Sequence, residues 1–273
     1  MNFYSQKIFP FLLNKFMSKP FLTEQRRKTL ASAQGNILEI GFGTGLNLSA
    51  YPKNVEMITT IDIHAGMNPL AQKQMEKSPI RVNHHIGSVE DMPFHDNSFD
   101  TVVSTWTLCS ITNVEKALIE IKRVLKQNGK LIFIEHGLSK NLKIKQWQTF
   151  LSPFWQKLSL GCHLERNIRE LLEQNGFDIV ECEEFDVSGT LKIVGHTYRG
   201  GLFPKNEYEE CKDFFKRVIH RINSPIGCGA CFFLYHQSNP TKIFFERISR
   251  CVGCNDRGLF LYHSCHTGCW ETS

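Results

Sequence analysis

The chain has 273 residues and a formal net charge of +5; 41% of its residues are hydrophobic and 22% charged, with ten cysteines and eleven histidines. That apolar fraction over that length can bury a full core, which excludes disorder throughout. The longest uncharged apolar stretch near the start, Ile8–Leu13, falls far short of the roughly 20 residues that span a bilayer and is too short for a secretory signal core, so a soluble, cytoplasmic chain is expected.

Charge and cysteine are unevenly spread. Residues 1–35 hold Lys7, Lys15, Lys19, Arg26, Arg27 and Lys28 against Glu24. A basic leader can meet nucleic acid, cap an apolar pocket or lie on an anionic membrane face. The interleaved Phe3, Tyr4, Ile8, Phe9, Phe11, Leu12, Phe16, Met17, Phe21 and Leu22 favour the cap. Peripheral contact with the inner membrane face stays open, and no nucleic-acid partner is expected. Cys211, Cys228, Cys231, Cys251, Cys254, Cys265 and Cys269 crowd the end of the chain, while Cys109, Cys162 and Cys182 precede them. The shift near Gly200–Gly201 suggests an N-terminal cap (1–35), a central domain (36–201) and a Cys-rich extension (202–273).

In chain order, Asn36–Ile40 reads as a short buried strand ending in glycines, and Met57–Ile63 as a second. Ile80–Ile86, Phe99–Ser104 and Lys130–Glu135 follow as further strands, with Asn128–Gly129 as the turn before the last. Between them Asn68–Glu76 and Val114–Leu125 have helical spacing, the latter with Ala117, Leu118, Ile121, Val124 and Leu125 on one face. Trp147–Leu158 is aromatic-rich at near-helical spacing but interrupted by Pro153. Arg166–Asn175 reads as a helix stopped by Gly176, and Phe177–Phe185 and Thr190–Tyr198 as an antiparallel hairpin at the sheet edge. The expected fold is α/β: a doubly wound, mostly parallel seven-stranded sheet with an antiparallel edge hairpin, binding its ligand at the carboxyl ends of the strands.

The first strand runs into Leu38-Glu39-Ile40-Gly41-Phe42-Gly43-Thr44-Gly45. Alternate glycines let the backbone turn sharply and approach a ligand closely. Asp62, at the end of the next strand, is placed to accept both hydroxyls of a ribose. The dinucleotide spacing would need a third glycine where Leu46 stands, and no Gly-Lys-Ser/Thr follows to hold a triphosphate. A G-x-G-x-G turn with Glu39 before it suits S-adenosylmethionine, which has a ribose and an amino-acid tail but no phosphate.

Residues 1 to about 200 resemble the class I S-adenosylmethionine-dependent methyltransferases, Rossmann-like enzymes, and within them the bacterial subgroup similar to thiol methyltransferase-like and ubiquinone/menaquinone-biosynthesis-like enzymes. The resemblance is carried by LEIGFGTGLNLSAYP (38–52), TIDIHAGM (60–67), GSVEDMPFHDNSFDTVVSTWTLCSI (87–111), RVLKQNGKLIFIEHGLS (123–139) and WQTFLSPFWQKLSLGCHLERNI (147–168). It implies that Gly41, Phe42, Gly43 and Gly45 line the methionine and ribose and that Asp62 holds the ribose hydroxyls. It also implies Ile63 against the adenine, Ser88 and Val89 at its edge, and Thr105 facing the sulfonium. Many wider relatives have Asp where this chain has Ser88, which gives up a charge-assisted bond to the adenine amine.

Methyl transfer from a sulfonium is an in-line displacement, so the protein chiefly aligns the acceptor and excludes water. The acceptor pocket is expected beyond the fourth and fifth strands, between Trp106, Leu108, Cys109, Glu135 and His136. Its roof would be residues 147–163, with Trp147, Phe150, Phe154 and Trp155 as an apolar wall able to touch lipid. His136 is the first candidate proton acceptor and His163 the second; each could instead be a structural histidine. Cys109 and Cys162 read as buried, inert thiols. Cys228, Cys231, Cys251 and Cys254 form two C-x-x-C pairs with the spacing of a four-thiolate zinc site, with His263, Cys265, His266 and Cys269 beside them. Free or oxidisable thiols are the competing reading. The expected activity is methyl transfer to a small apolar or lipid-like acceptor, a thiol before a quinone or phospholipid. A nicotinamide-dependent oxidoreductase and a non-catalytic nucleoside-binding or zinc-dependent interaction module are the alternatives.

Overall fold

Two N-terminal helices, α1 (Phe9–Met17) and α2 (Pro20–Leu30), precede the alternating part of the chain in a computed structural model that describes residues 3–4, 8–64 and 68–204. Strand β1 (Ile37–Ile40) is followed by a short 3-10 turn (Leu46–Ser49), then by β2 (Met57–Asp62), α3 (Asn68–Lys77) and β3 (Arg81–Ile86). Next come β4 (Phe99–Thr105), α4 (Val114–Val124), β5 (Leu125–His136), α5 (Leu142–Leu158) and α6 (Ile168–Gln174), and finally β6 (Phe177–Asp186), α7 (Lys192–Gly195) and β7 (His196–Pro204). The strands form one seven-stranded sheet in the order β3-β2-β1-β4-β5-β7-β6. The first five are parallel, and β7 runs against both its neighbours. Strand order reverses between β1 and β4, the crevice where open α/β sheets bind ligands.

Successive side chains of a strand point to opposite faces, and the core divides accordingly. Val102, Leu131 and Phe133 pack on one face with Leu118 and Ile121 of α4, while Val103 and Ile132 pack on the other with Leu30, Leu48 and Ile58. Helix α4 buries Ala117, Leu118, Ile121 and Val124 and is capped by Asn113, which accepts from the Lys116 N–H.

Three expectations are corrected. Asn128–Gly129 lies inside β5 rather than before it, at a register break where Phe99 pairs with Leu125 but Thr101 with Lys130. A Cβ on Gly129 would come within 2.9 Å of the Phe99 carbonyl, so the close approach of the two chains explains the glycine. Pro153 does not interrupt its segment: α5 is one helix of 17 residues with the proline inside it. The antiparallel pair forms, but α7 takes the residues expected to begin its second strand. That strand starts at His196, runs through Gly200–Gly201, and lies between β5 and β6, so β6 is the edge.

Candidate active site

Gly41, Gly43 and Gly45 have φ of 68°, 58° and 76°, the left-handed region that L side chains avoid. A Cβ on Gly41 would fall 2.1 Å from the Thr107 hydroxyl, whereas one on Gly43 would meet nothing nearer than the Gly41 carbonyl at 3.8 Å. The first glycine is required by the protein's own packing. The second leaves a gap over the turn that a ligand can enter. Asp62 sets the turn from the neighbouring strand: one carboxylate oxygen accepts from Gly43 N–H and the other from His64 N–H, both at 2.7 Å. Each oxygen keeps a second lone pair.

Behind the turn lies a buried polar cluster. Tyr51 donates to Glu39 at 2.7 Å, and Asn47 Nδ2 donates both to Glu39 at 3.0 Å and to Thr105 Oγ1 at 2.9 Å. Asn47 Oδ1 is buried with no hydrogen-bond partner. Burial lifts the Glu39 carboxyl to about 7, against the opposing pull of Tyr51, Asn47 and the Arg26 charge. Arg26, from α2, lies 4.8 Å above the Trp106 ring and donates to the Met17 carbonyl at 2.7 Å. Burial lowers its pKa to about 10, with Glu39 opposing. Trp106 itself has φ of 53°, a strained conformation for an aromatic residue.

Glu39, Gly41, Gly43, Gly45, Asp62 and Thr105 thus converge on the crevice at the end of β1. Phe42 sends its ring into the core, 5.4 Å from that of His84, and Val89 is buried in the layer that holds Leu38 and Ile40. Ile63 is exposed, and the half-buried Ser88 accepts from the Glu90 N–H at 3.1 Å. The gap over Gly43, the acidic pair Asp62 and Glu39, and the orphaned Asn47 oxygen together fit S-adenosylmethionine, which brings hydroxyls, an ammonium and a sulfonium.

Next to the crevice, beyond β4 and β5, three loops are laced together. Glu135 is fully buried and accepts from Ser104 Oγ (2.7 Å) and from the N–H groups of Thr107, Leu108 and Cys109 (2.9, 3.1 and 3.2 Å). It therefore shapes the turn after β4. Burial raises its pKa, and those bonds oppose the rise. Arg166 donates to the carbonyls of Leu108 and Ile111, and the His163 N–H donates to the Cys109 carbonyl at 2.8 Å. After α5, Leu160 (φ 58°) and Gly161 (φ 108°) swing the chain back and deliver Cys162. Its sulfur lies 3.0 Å from His136 Nε2 and 3.8 Å from the Cys109 sulfur. The hydrogen bond shared with Cys109 draws the Cys162 pKa down to about 4, with His136 adding to the effect against burial. Cys109 moves up, held in its thiol form by its bond to Cys162 and by burial. Burial works against a charged His136, but the Cys162 sulfur outweighs it and the pKa rises.

The His163 ring makes its own contacts, its Nδ1 3.0 Å from Glu165 Oε1 and 3.0 Å from Gln156 Nε2. Ser152 donates to the other oxygen of Glu165.

The expected aromatic wall is not there. Trp147, Phe150 and Phe154 are 58%, 65% and 68% exposed, while the fully buried Gln148 and Ser152 form the inner face of α5. The reason is backbone demand: Gln148 accepts from Ser139 N–H and donates to the carbonyls of Gly137 and Ile193, and Ser152 accepts from Leu164 N–H. Loops on that side need polar partners more than apolar ones. Trp155 is partly buried, with its indole N–H enclosed beside the Cys162 sulfur. A groove lined by Asn97, Lys122, Leu125 and Lys126 lies at the opposite ends of the strands and holds none of these groups. Among the described residues no helix is long and apolar enough to cross a membrane. Cys228, Cys231, Cys251 and Cys254 lie outside the described residues.

A methyltransferase-domain family model matches residues 38–133. The human thiol S-methyltransferase TMT1A is 30% identical over 208 residues, covering 69% of this chain and 83% of that protein. The chain belongs to the S-adenosylmethionine-dependent methyltransferases. The rat thiol S-methyltransferase TMT1B is 34% identical over 156 residues, 56% of this chain, and the match spans 64% of that relative's length. Among solved structures, the YcgJ protein of Bacillus subtilis shares the fold, with a TM-score of 0.52 at 17% identity over 67% of this chain and 98% of that one. In this methyltransferase, sequence reasoning missed Arg26, Asn47, Tyr51, Gln148 and Arg166. Asn47 and Tyr51 sit inside the glycine-turn motif and Arg166 inside the 147–168 block, so position in a motif was a usable signal. Arg26 was counted only as surface charge, and nothing in the sequence marks it as buried.

Proposed function

We propose that this methyltransferase moves the methyl group of S-adenosylmethionine to the sulfur of a small apolar or lipid-like thiol. The observation that carries the reading is the bay beyond β4 and β5. Beside His136 its groups are soft or apolar, Leu108, Cys109 and Cys162, and it begins one residue past Thr107, whose hydroxyl fills the space above Gly41. The names of the human and rat relatives support the same acceptor atom.

When bound, S-adenosylmethionine supplies a methyl carbon already activated by a sulfonium, so alignment and exclusion of water remain as the protein's task. Gly41, Phe42, Gly43 and Gly45 present the turn to it, and the free lone pairs of Asp62 take the ribose hydroxyls. Ile63, Ser88 and Val89 border the adenine, while Glu39 and Thr105 face the methionine end. His136 Nε2 is engaged by Cys162. His163, oriented through Nδ1 by Glu165, keeps Nε2 free and takes the thiol proton.

Methyl transfer to a phospholipid amine or a quinone is the second reading, favoured by the exposed rings of α5, which also support peripheral contact with a membrane. Turnover of methyl-labelled S-adenosylmethionine against a panel of alkyl thiols, quinones and phospholipids separates the two. Label in thioether is the expected result, and label in lipid or quinone alone overturns it.

A further inference from the structure

Three potential ligand atoms meet in the bay, from segments far apart in the chain: Cys109 after β4, His136 at the end of β5 and Cys162 after α5. They lie within 4.8 Å of one another and are at least half enclosed. We propose that Cys109 Sγ, Cys162 Sγ and His136 Nε2 bind a thiophilic metal ion, zinc being the best fit, in an open three-ligand site.

Geometry makes the case. Two thiolates held about 2.3 Å from a tetrahedral ion stand about 3.8 Å apart, and the two sulfurs are 3.8 Å apart. The sulfur-to-imidazole edges of such a site are about 3.6 Å; Cys162 Sγ to His136 Nε2 is 3.0 Å and the Cys109–His136 edge closes the triangle within 4.8 Å, so side-chain rotations of about an ångström complete three corners. The backbone is fixed on every side. Glu135 holds the Cys109 N–H, His163 N–H holds the Cys109 carbonyl, and the left-handed pair Leu160 and Gly161 aims Cys162 inward. Two thiolates with one imidazole select zinc or monovalent copper over the hard cations. Binding releases the remaining thiol protons to solvent. The resulting site of two thiolates and a divalent ion is neutral, which suits its burial.

The Trp155 indole N–H is buried beside the Cys162 sulfur and helps to hold it as the thiolate that a metal needs. Three protein ligands leave the fourth tetrahedral position open, the pattern of catalytic rather than structural zinc. Resting on the thiol reading above, that position takes the acceptor's sulfur once His163 has removed its proton, and coordination then holds it as the thiolate.

The test uses the full-length chain, reduced and stripped of metal, in its natural form and with all seven cysteines after position 204 replaced by serine so that they cannot compete. Titration with cobalt(II) is expected to show one equivalent with a thiolate-to-metal charge-transfer band in the tail-substituted protein, in which the further variants are made, and at least one in the natural chain. Cys109→Ser and Cys162→Ser should each weaken that binding at least 100-fold, and Cys182→Ser should leave it unchanged. Calorimetry with S-adenosylhomocysteine reports whether each variant is folded. If a variant does not fold, zinc protection from iodoacetamide, mapped by peptide mass on the natural chain, replaces it: Cys109 and Cys162 should be shielded and Cys182 should not.

Unchanged cobalt binding in Cys109→Ser and Cys162→Ser would overturn the site. So would loss of all binding in the tail-substituted protein, or equal alkylation with and without zinc. Isolation of the chain with Cys109 and Cys162 joined as a disulfide that zinc and reductant cannot replace would overturn it as well. A bound ion with no methylation of any thiol would remove the thiol reading and leave the metal site standing.

Discussion

The two halves of the site are built on opposite plans. The glycine turn is local: seven consecutive residues, Glu39–Gly45, and one carboxylate from the next strand make a surface out of backbone. The sulfur-lined bay is assembled from side chains at positions 109, 136 and 162, held by Glu135 and Arg166, whose partners are almost all main-chain groups of distant loops. A local device depends on conformation and fails when a side chain is added. A dispersed one depends on registration between loops and fails when a tie is cut.

The sharpest test of that contrast compares two glycines two residues apart. Gly41→Ala combines a left-handed φ with a clash against Thr107 and should cost about 3 kcal/mol or more of stability, read by urea unfolding. Gly43→Ala has room for its methyl group in the bare turn and should cost only about 1–2 kcal/mol, yet abolish calorimetric binding of S-adenosylhomocysteine. Equal binding by Gly43→Ala and the natural chain would show that the gap is not the ligand's.

His163→Gln addresses the bay. It should lower kcat toward an alkyl thiol by about 100-fold near neutrality, with the deficit shrinking as pH rises through the thiol's own pKa. Cofactor affinity should stay unchanged.

Glu39 gives a pH signature of the buried cluster behind the turn. Its carboxyl holds a proton up to about 7 in the folded chain and to about 4.3 when unfolded. Between those values the native state binds more protons, so stability is highest at the acid end of the window and falls as pH rises towards and through 7, by about 4 kcal/mol at most. Urea midpoints at pH 5 and 8 should show the fall, and Glu39→Gln should flatten it. The smallest effect is expected on α5: replacing Trp147, Phe150 and Phe154 by serine should change stability by under about 0.5 kcal/mol per site, while reducing cosedimentation with anionic vesicles.

The same contrast explains what was legible from sequence. The parallel strands, α4 and the glycine turn follow from short-range signals: apolar runs, a 3.6-residue stripe and alternate glycines. Asp62 followed from its distance down the chain. The orientation of α5 did not, because hydrophobic periodicity places Trp147, Phe150 and Phe154 inward, whereas unsatisfied main-chain groups of Gly137, Ser139 and Ile193 claim the inner face for Gln148. Cys109 and Cys162 were individually visible, but a 53-residue separation carries no sign that their sulfurs meet. The start of β7 was misplaced because β-branched and apolar residues at 190–194 read as strand while the chain closes one helical turn there.

The stacking of Arg26 on Trp106 has a practical consequence for anyone preparing this enzyme. The N-terminal thirty residues look like an adhesive leader, the sort of segment routinely trimmed to improve solubility. Trimming them would take away the guanidinium that faces Glu39, expose the indole of a strained residue at the lip of the crevice, and leave a truncated protein whose lost activity could be mistaken for a missing substrate.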